Sequence, residues 1–405
     1  MKTHLMLPGP TPVPERVLAA MARPMINHRG EEFSLLYREL LSGLRQVFQT
    51  EGEVMILPSA GTGGLEAAVV NFLSPGDRVL ALVTGAFGER FATIAQAFGA
   101  RVDVLAAPEG RAVNLTALAE RLDDDAALPE EARYRAVLVT HNETSTGVTN
   151  LVDAIAAPVR RHGALLLVDA VSSLGAIDLP VDRLGLDVVV TGAQKALMCP
   201  PGLAILSVSE RAWQAAQRAA MPRFYWDLRR YRKSATSFQT PYTPALSLLY
   251  GLKESLTMLL REEGLQASFR RHTLLGRMTR AGVAALGLEL LAAPGCASAT
   301  VTAVVGPEGV DLKQLRRIAR QRYGVILAGG QGDLADRIFR IGHLGHVGTA
   351  DILAAVNAVG GALLALGYSG SGSGGAGRRG GPVDPARAVA AALQVQREEE
   401  GGQGA

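Results

Sequence analysis

Between Glu53 and Val208 the chain repeats one pattern: a short apolar run, a polar break, an amphipathic segment, and another apolar run. Strand-like runs fall at Glu53–Leu57, Arg78–Val83, Arg101–Ala106, Arg135–Thr140, Ala164–Val168, Asp187–Thr191 and Leu203–Val208. Helical spacing marks Gly64–Leu73, Glu89–Phe98 and Val152–His162 between them. Continuously apolar strands need cover on both faces, and the interleaved helices supply it. This alternation predicts an α/β fold with a mostly parallel sheet and helices on both sides. Ligands of such sheets gather beyond the carboxyl ends of the strands, so the loops leaving those ends carry the functional argument.

The flanks differ. Pro8, Pro10, Pro12 and Pro14 predict an extended arm over residues 1–14, followed by helices at Glu15–Met21 and Glu31–Phe48. Past Pro244 the pattern is helical over Leu246–Leu286, and residues 287–366 mix strands and helices as a smaller α+β domain would. The expected division is an arm (1–14), a large α/β domain (15–260), a small C-terminal α+β domain (261–368) and a Gly/Ser-rich linker with a disordered tail (369–405). Gly370–Gly375 matches GxGxxG in letters only, because no strand precedes it and no helix opens from it. Asp123–Asp125 reads as a solvated loop.

A chain of 405 residues, 48% hydrophobic and 20% charged, has the composition of an ordinary globular protein with a large core. A net charge of +3 with scattered basic residues argues against nucleic acid. Cys199 and Cys296 make neither a disulfide framework nor a CxxC metal site, which suits a reducing, cytoplasmic setting. The N-terminus is too proline-broken for a signal peptide, and no apolar run is long enough to predict a membrane span.

Four strand-end loops point the same way. Pro58-Ser-Ala-Gly-Thr-Gly-Gly-Leu-Glu66 lies between a strand and a helix, and its small residues let backbone amides approach an anion at the helix N-terminus. Glu66 stands where a dinucleotide fingerprint has its third glycine, and the Gly-Lys-Ser/Thr of a P-loop is missing. Phe87, in Thr84-Gly-Ala-Phe-Gly88, can stack on a planar ring or serve as an ordinary core residue. Thr140-His-Asn-Glu-Thr-Ser-Thr-Gly147 crowds hydrogen-bonding side chains after a strand, with Thr144 placed for a ring hydroxyl. Asp169 ends an apolar strand, where a carboxylate needs a partner such as a pyridinium N–H, or caps a helix. Finally, Lys195 follows the run Val188–Thr191 and Gly192. Taken alone it reads as a lysine snorkelling from a strand end; condensation with a carbonyl cofactor is the chemical alternative.

With the order of these elements, the sequence resembles the class V aminotransferases of the fold-type I pyridoxal phosphate enzymes, in particular the alanine/serine–glyoxylate group. The resemblance spans about residues 5–366 and rests on Leu7-Pro-Gly-Pro-Thr11, Ser59-Ala-Gly-Thr-Gly63, Glu143-Thr-Ser-Thr-Gly147, Val168-Asp169, Gly192-Ala-Gln-Lys-Ala-Leu197, Thr240-Pro-Tyr-Thr-Pro-Ala245 and Phe339-Arg-Ile-Gly342. It implies that Lys195 holds pyridoxal 5′-phosphate covalently and carries the proton moved in catalysis. Asp169 would face the pyridine nitrogen, Phe87 stack on the ring and Thr144 bind near its hydroxyl. Ala60, Gly61, Thr62 and Gln194 would surround the phosphate. Thr240 and Thr243 would reach the phosphate of a neighbouring subunit, which implies a homodimer with shared active sites. Arg340 would clamp the substrate carboxylate. Relatives usually carry Ser at the position of Ala60, so one hydroxyl to the phosphate is missing here.

The implied reaction is a ping-pong transfer of an amino group from a small L-amino acid, alanine or serine, to glyoxylate or pyruvate. Arg29 or His28, in the loop Asn27-His-Arg-Gly30, would favour an acidic donor such as aspartate. A lyase such as a cysteine desulfurase is the rival within the fold; it needs a mobile catalytic cysteine, and Cys296 lacks a recognisable loop for that role. His343 and His346 have no third ligand nearby, so no metal site is expected.

Overall fold

The computed structural model describes residues 3–370 and 382–402. Most of the Gly/Ser-rich linker, with the GxGxxG match from Ser371 on, lies outside the described residues. In chain order the strands are β1 (His4–Met6), β2 (Glu53–Leu57), β3 (Arg78–Val83), β4 (Arg101–Ala106), β5 (Tyr134–Thr140), a hairpin of β6 (Asn142–Glu143) and β7 (Val148–Thr149), β8 (Leu165–Asp169), β9 (Val188–Gly192), β10 (Ala204–Val208), β11 (Val301–Val305), β12 (Val325–Gly329) and β13 (Ile338–Gly342). The first helices are α1 (Glu15–Met21), α2 (Glu31–Phe48), α3 (Gly61–Phe72), α4 (Ala86–Ala97), α5 (Leu115–Ala126) and α6 (Val152–His162).

Seven strands form the large sheet in the order β2–β10–β9–β8–β5–β3–β4. Strand β10 is antiparallel to both its neighbours, and the pairs from β9 to β4 are parallel. Alternate residues of each strand enter different cores: Val137, Leu166 and Val189 pack under α2, whereas Leu138, Leu167 and Val190 pack under α3. That two-sided burial is why the strands read as unbroken apolar runs. A smaller sheet, β1–β12–β13–β11, packs against the helices Leu265–Ala285 and Thr349–Ala365. Among the described residues no helix is long and apolar enough to cross a membrane.

Four local expectations change. The arm is anchored by a strand, because β1 adds to β12 in parallel. The acidic stretch is a helix, α5, capped by Asn114, and Asp125 is buried there rather than solvated. Its carboxylate is satisfied by Arg78, by the Tyr134 amide and by His162, so burial is tolerated. The helical stretch 246–286 is interrupted at Gly264, whose φ of +85° no helix accommodates. Residues 385–402 are a helix, not a disordered tail: Val383, Ala388 and Ala392 bury an apolar stripe against the helices of the smaller sheet. Its surrounding charges and linker composition hid that stripe in the sequence.

Candidate functional site

The site lies beyond the carboxyl ends of β5, β8 and β9. Asp169 is the last residue of β8, in register with Thr140 on one side and Val190 on the other. It is 4% exposed. Its Oδ1 accepts from the Val171 amide at 2.9 Å, while among the described residues Oδ2 has only the Thr140 hydroxyl at 3.5 Å. Burial pushes its carboxyl up to about 6, and the charge of Glu143 adds to this; the Val171 amide and Lys195 oppose it.

Lys195 follows β9 through a tight turn in which Ala193 and Cys199 are bonded, and its amine donates to the Pro8 carbonyl at 2.7 Å. Burial holds the amine down at about 8; Asp169 resists this, and Arg340 and Arg90 reinforce it. The arm is tied down beside it, since Thr11 donates its amide to the Gln194 carbonyl and its hydroxyl to the Lys195 carbonyl. A Cβ on Gly9 would lie 2.3 Å from the lysine nitrogen.

The glycine turn meets the same place. Gly61 packs so closely on Val171 that a Cβ would lie 2.6 Å from it, which brings the start of α3 against the loop after Asp169. Ala60 is the N-cap and offers no capping side chain. The Gly61 and Thr62 amides have no acceptor among the described residues, as expected of the first turn of a helix. Gln194 has a buried amide oxygen without a partner.

Phe87 stands in the first turn of α4, half-buried, with the Arg90 guanidinium 4.7 Å over its ring. Thr144 is buried, and its carbonyl accepts from Arg340 Nη1 at 2.9 Å. Arg340, central in β13, also donates to the Gly329 carbonyl, forms no ion pair among the described residues, and is 5% exposed. Burial lowers its pKa from the usual arginine value. A buried guanidinium with carbonyl partners only is complementary to an incoming carboxylate.

Two predicted groups make no hydrogen bond to this cluster among the described residues. Thr240 is buried and donates its hydroxyl to the Tyr242 carbonyl, while Thr243 is exposed. Arg29 donates to the carbonyls of Thr240 and Pro241, so it braces that loop; His28 beside it is partly exposed. Three neighbours carried no assigned role in the sequence: Gly9 over Lys195, Glu143 beneath α4, and Asn142, which binds Ser172, Ser298 and Thr300. All three stand in or next to motifs that sequence inspection isolates, but only the folded chain shows what they touch.

The sequence matches the family described as Aminotransferase class-V over residues 4–333. It is 47% identical over 369 residues to the soluble hydrogenase small subunit of Synechococcus sp., covering 91% of this chain and 94% of that protein. It is 37% identical over 364 residues to the serine–glyoxylate aminotransferase of Methylorubrum extorquens, covering 88% of this chain and 89% of that one. The crystal structure of pyridoxamine–pyruvate aminotransferase from Mesorhizobium loti aligns with a TM-score of 0.88 at 33% identity, covering 98% of this chain and 97% of that one. With an aspartate ending β8, a lysine in the turn after the neighbouring parallel β9 and a sequence match across most of its length, the chain belongs to the class V aminotransferases, transaminases of fold type I.

Proposed function

We propose that the protein moves an amino group from a small L-amino acid, alanine or serine, to a 2-oxo acid such as glyoxylate or pyruvate, using pyridoxal 5′-phosphate in two alternating half-reactions. The observation that carries this reading is the pair formed by Asp169, buried with an under-used carboxylate oxygen, and Lys195, whose amine is held down at about 8. The named activities of the Methylorubrum and Mesorhizobium relatives support the acceptors. The hydrogenase name of the Synechococcus relative is said of that protein and is not carried over to this chain.

The residues present fit the cofactor. Asp169 Oδ2 suits a pyridinium N–H, and the free Gly61 and Thr62 amides suit a phosphate at a helix N-terminus. When bound, pyridoxal phosphate supplies a carbonyl for an amine and a ring that withdraws electrons from the substrate Cα. In this reading Lys195 Nζ would tether the cofactor and would also be the base that takes the Cα proton. Asp169 keeps the ring nitrogen protonated. Phe87 covers the ring, Thr144 meets its hydroxyl, and Ala60, Gly61, Thr62 and Gln194 hold the phosphate. Arg340 binds the carboxylate that amino acid and oxo acid share. Because Ala60 lacks a hydroxyl, that position offers the phosphate only its backbone amide.

Thr240 and Thr243 are assigned to the phosphate of a second copy in a homodimer. Exposed apolar side chains, among them Met25 at 62% and Phe224 at 65%, support a covered face near the Arg29 and Thr240 loops. Two free cysteines are in keeping with a cytoplasmic protein. The test is Lys195→Ala, expected to abolish the visible absorbance of the bound cofactor and nearly all turnover with alanine or serine against glyoxylate and pyruvate. Normal transamination by that variant overturns the assignment.

A further inference from the structure

Glu143 takes no part in the chemistry above, yet it is fully buried and pairs with no cation among the described residues. A buried carboxylate is costly unless donors surround it, and here four do. Oε2 accepts from the Phe87 and Gly88 amides, each at 3.0 Å. Oε1 accepts from the Ser145 amide at 3.0 Å and the Ser145 hydroxyl at 2.6 Å. The Ser145 oxygen in turn accepts from the Ala86 amide at 3.0 Å.

The first three amides of α4 are therefore satisfied from the β6–β7 hairpin. The helix's own N-cap, Gly85, has no side chain to offer. Its φ of +159° and the 2.4 Å and 2.7 Å that would separate an added Cβ from Ser145 Oγ and Glu143 Cγ show how closely the two segments approach. Negative charge at a helix start is also favoured by the aligned peptide dipoles. Thr144, the next residue, holds Arg340 by its carbonyl, and Asn142, the one before, binds Ser172 beyond Asp169 and Ser298 and Thr300 from the small domain.

We infer that Glu143 is a positioning residue of the transaminase site: its carboxylate locks the start of α4 and thereby sets the Phe87 ring over the cofactor, from the hairpin that also holds Arg340. The inference rests on the proposed function. The same charge acts on both chemical groups nearby, raising the pKa of Asp169 and favouring the charged form of Arg340.

The test is Glu143→Gln in the full-length, cofactor-loaded protein. The amide keeps the volume but turns one acceptor into a donor, which then faces either the Phe87 and Gly88 amides or Ser145. The expected result is an altered visible circular dichroism band of the bound cofactor and a kcat about ten- to hundredfold lower, with KM for the amino donor little changed. In a Phe87→Ala background, which leaves the backbone bonds to Glu143 in place, Glu143→Gln should lower kcat little further. Full additivity of the two substitutions, or an unchanged band and kcat in the single variant, overturns the inference.

Hydrogen exchange at Phe87 and Gly88 in cofactor-free protein reads the cap independently and should quicken in the variant; unchanged exchange also overturns it. Failure of the wild type to bind pyridoxal phosphate would instead defeat the proposed function, leaving the exchange result to judge the cap. Should Glu143→Gln not fold, Ser145→Ala removes the hydroxyl that links Glu143 to the Ala86 amide while leaving the Phe87 and Gly88 bonds, and should shift the same dichroism band to a smaller degree; an unshifted band counts against the inference.

Discussion

Pro8 and Lys195 are in direct contact: the lysine amine donates to the Pro8 carbonyl at 2.7 Å, and Gly9 passes directly over the same nitrogen. The arm cannot retreat, because Thr11 is hydrogen-bonded to the carbonyls of Gln194 and Lys195 and β1 is anchored in the small sheet. Gly9 also has a φ of +149°, which a side chain disfavours. Gly9→Ala should therefore lower kcat at least about tenfold by displacing the lysine. Steady-state kinetics with alanine and glyoxylate check this, and wild-type turnover would mean that the arm yields.

Asp169→Asn should separate stability from activity. The native carboxyl, held up at about 6 against 3.8 in an unfolded chain, keeps a proton that the unfolded state releases in that window. Native stability from this group therefore falls as pH rises from about 4 to 6, and above 6 the ionised form costs roughly 3 kcal/mol. Asparagine keeps an acceptor for the Val171 amide and removes the charge. The cofactor-free variant should melt higher than wild type at pH 7, lose that advantage near pH 4, and transaminate at least about a hundredfold more slowly. Thermal melts across pH decide it, a lower melting point at pH 7 being the contrary result.

Arg340→Lys should raise KM for amino donor and oxo acid together. The guanidinium spends Nε and Nη1 on the carbonyls of Gly329 and Thr144 and still has donors free. A lysine ammonium cannot keep both anchors and a two-point grip on a carboxylate. The expected rise is about ten- to hundredfold, with cofactor affinity nearly unchanged. Equal loss of cofactor and substrate binding would place Arg340 in the scaffold instead of the substrate pocket.

Arg29→Ala addresses the amino donor. Its charge has carbonyl partners but no carboxylate among the described residues, so it remains available to a second anionic group. The aspartate-to-alanine rate ratio should fall about fivefold or more, a difference of roughly 1 kcal/mol. If that ratio holds while cofactor affinity drops, Arg29 acts as a brace for the Thr240 loop alone.

The centre of the large sheet was legible because Val137, Leu166 and Val189 face one core and Leu138, Leu167 and Val190 the other, leaving Ala136–Val139, Leu165–Val168 and Val188–Val190 without a polar interruption. Lys195 and Asp169 were legible for the inverse reason: each is a charged residue at the end of an apolar run. What stayed hidden depends on contacts distant in sequence. Asp125 looks solvated until Arg78 and His162 arrive, and Glu143 looks like a loop acid until α4 places its amides on it. Gly264 ends a helical pattern that periodicity alone would carry through.

The terminal helix is the largest such case, and Ala388 tests it. Residues 385–402 pack on the helix Leu265–Ala285 and on Thr349–Ala365, with Ala388 fully buried and its carbonyl close to Gly282. An Arg277–Glu399 ion pair adds a contact farther along, but exposed pairs are worth little. The stripe of Val383, Ala388 and Ala392 must then hold the segment in place. Ala388→Glu forces a carboxylate into that apolar contact and should release the helix. The variant should lose roughly 2–4 kcal/mol of stability and expose the segment to protease, while Lys195 and Asp169 keep their places at the large sheet. Limited proteolysis with mass spectrometry locates the cut, and an intact terminal helix in Ala388→Glu would show that the contact contributes little to its docking.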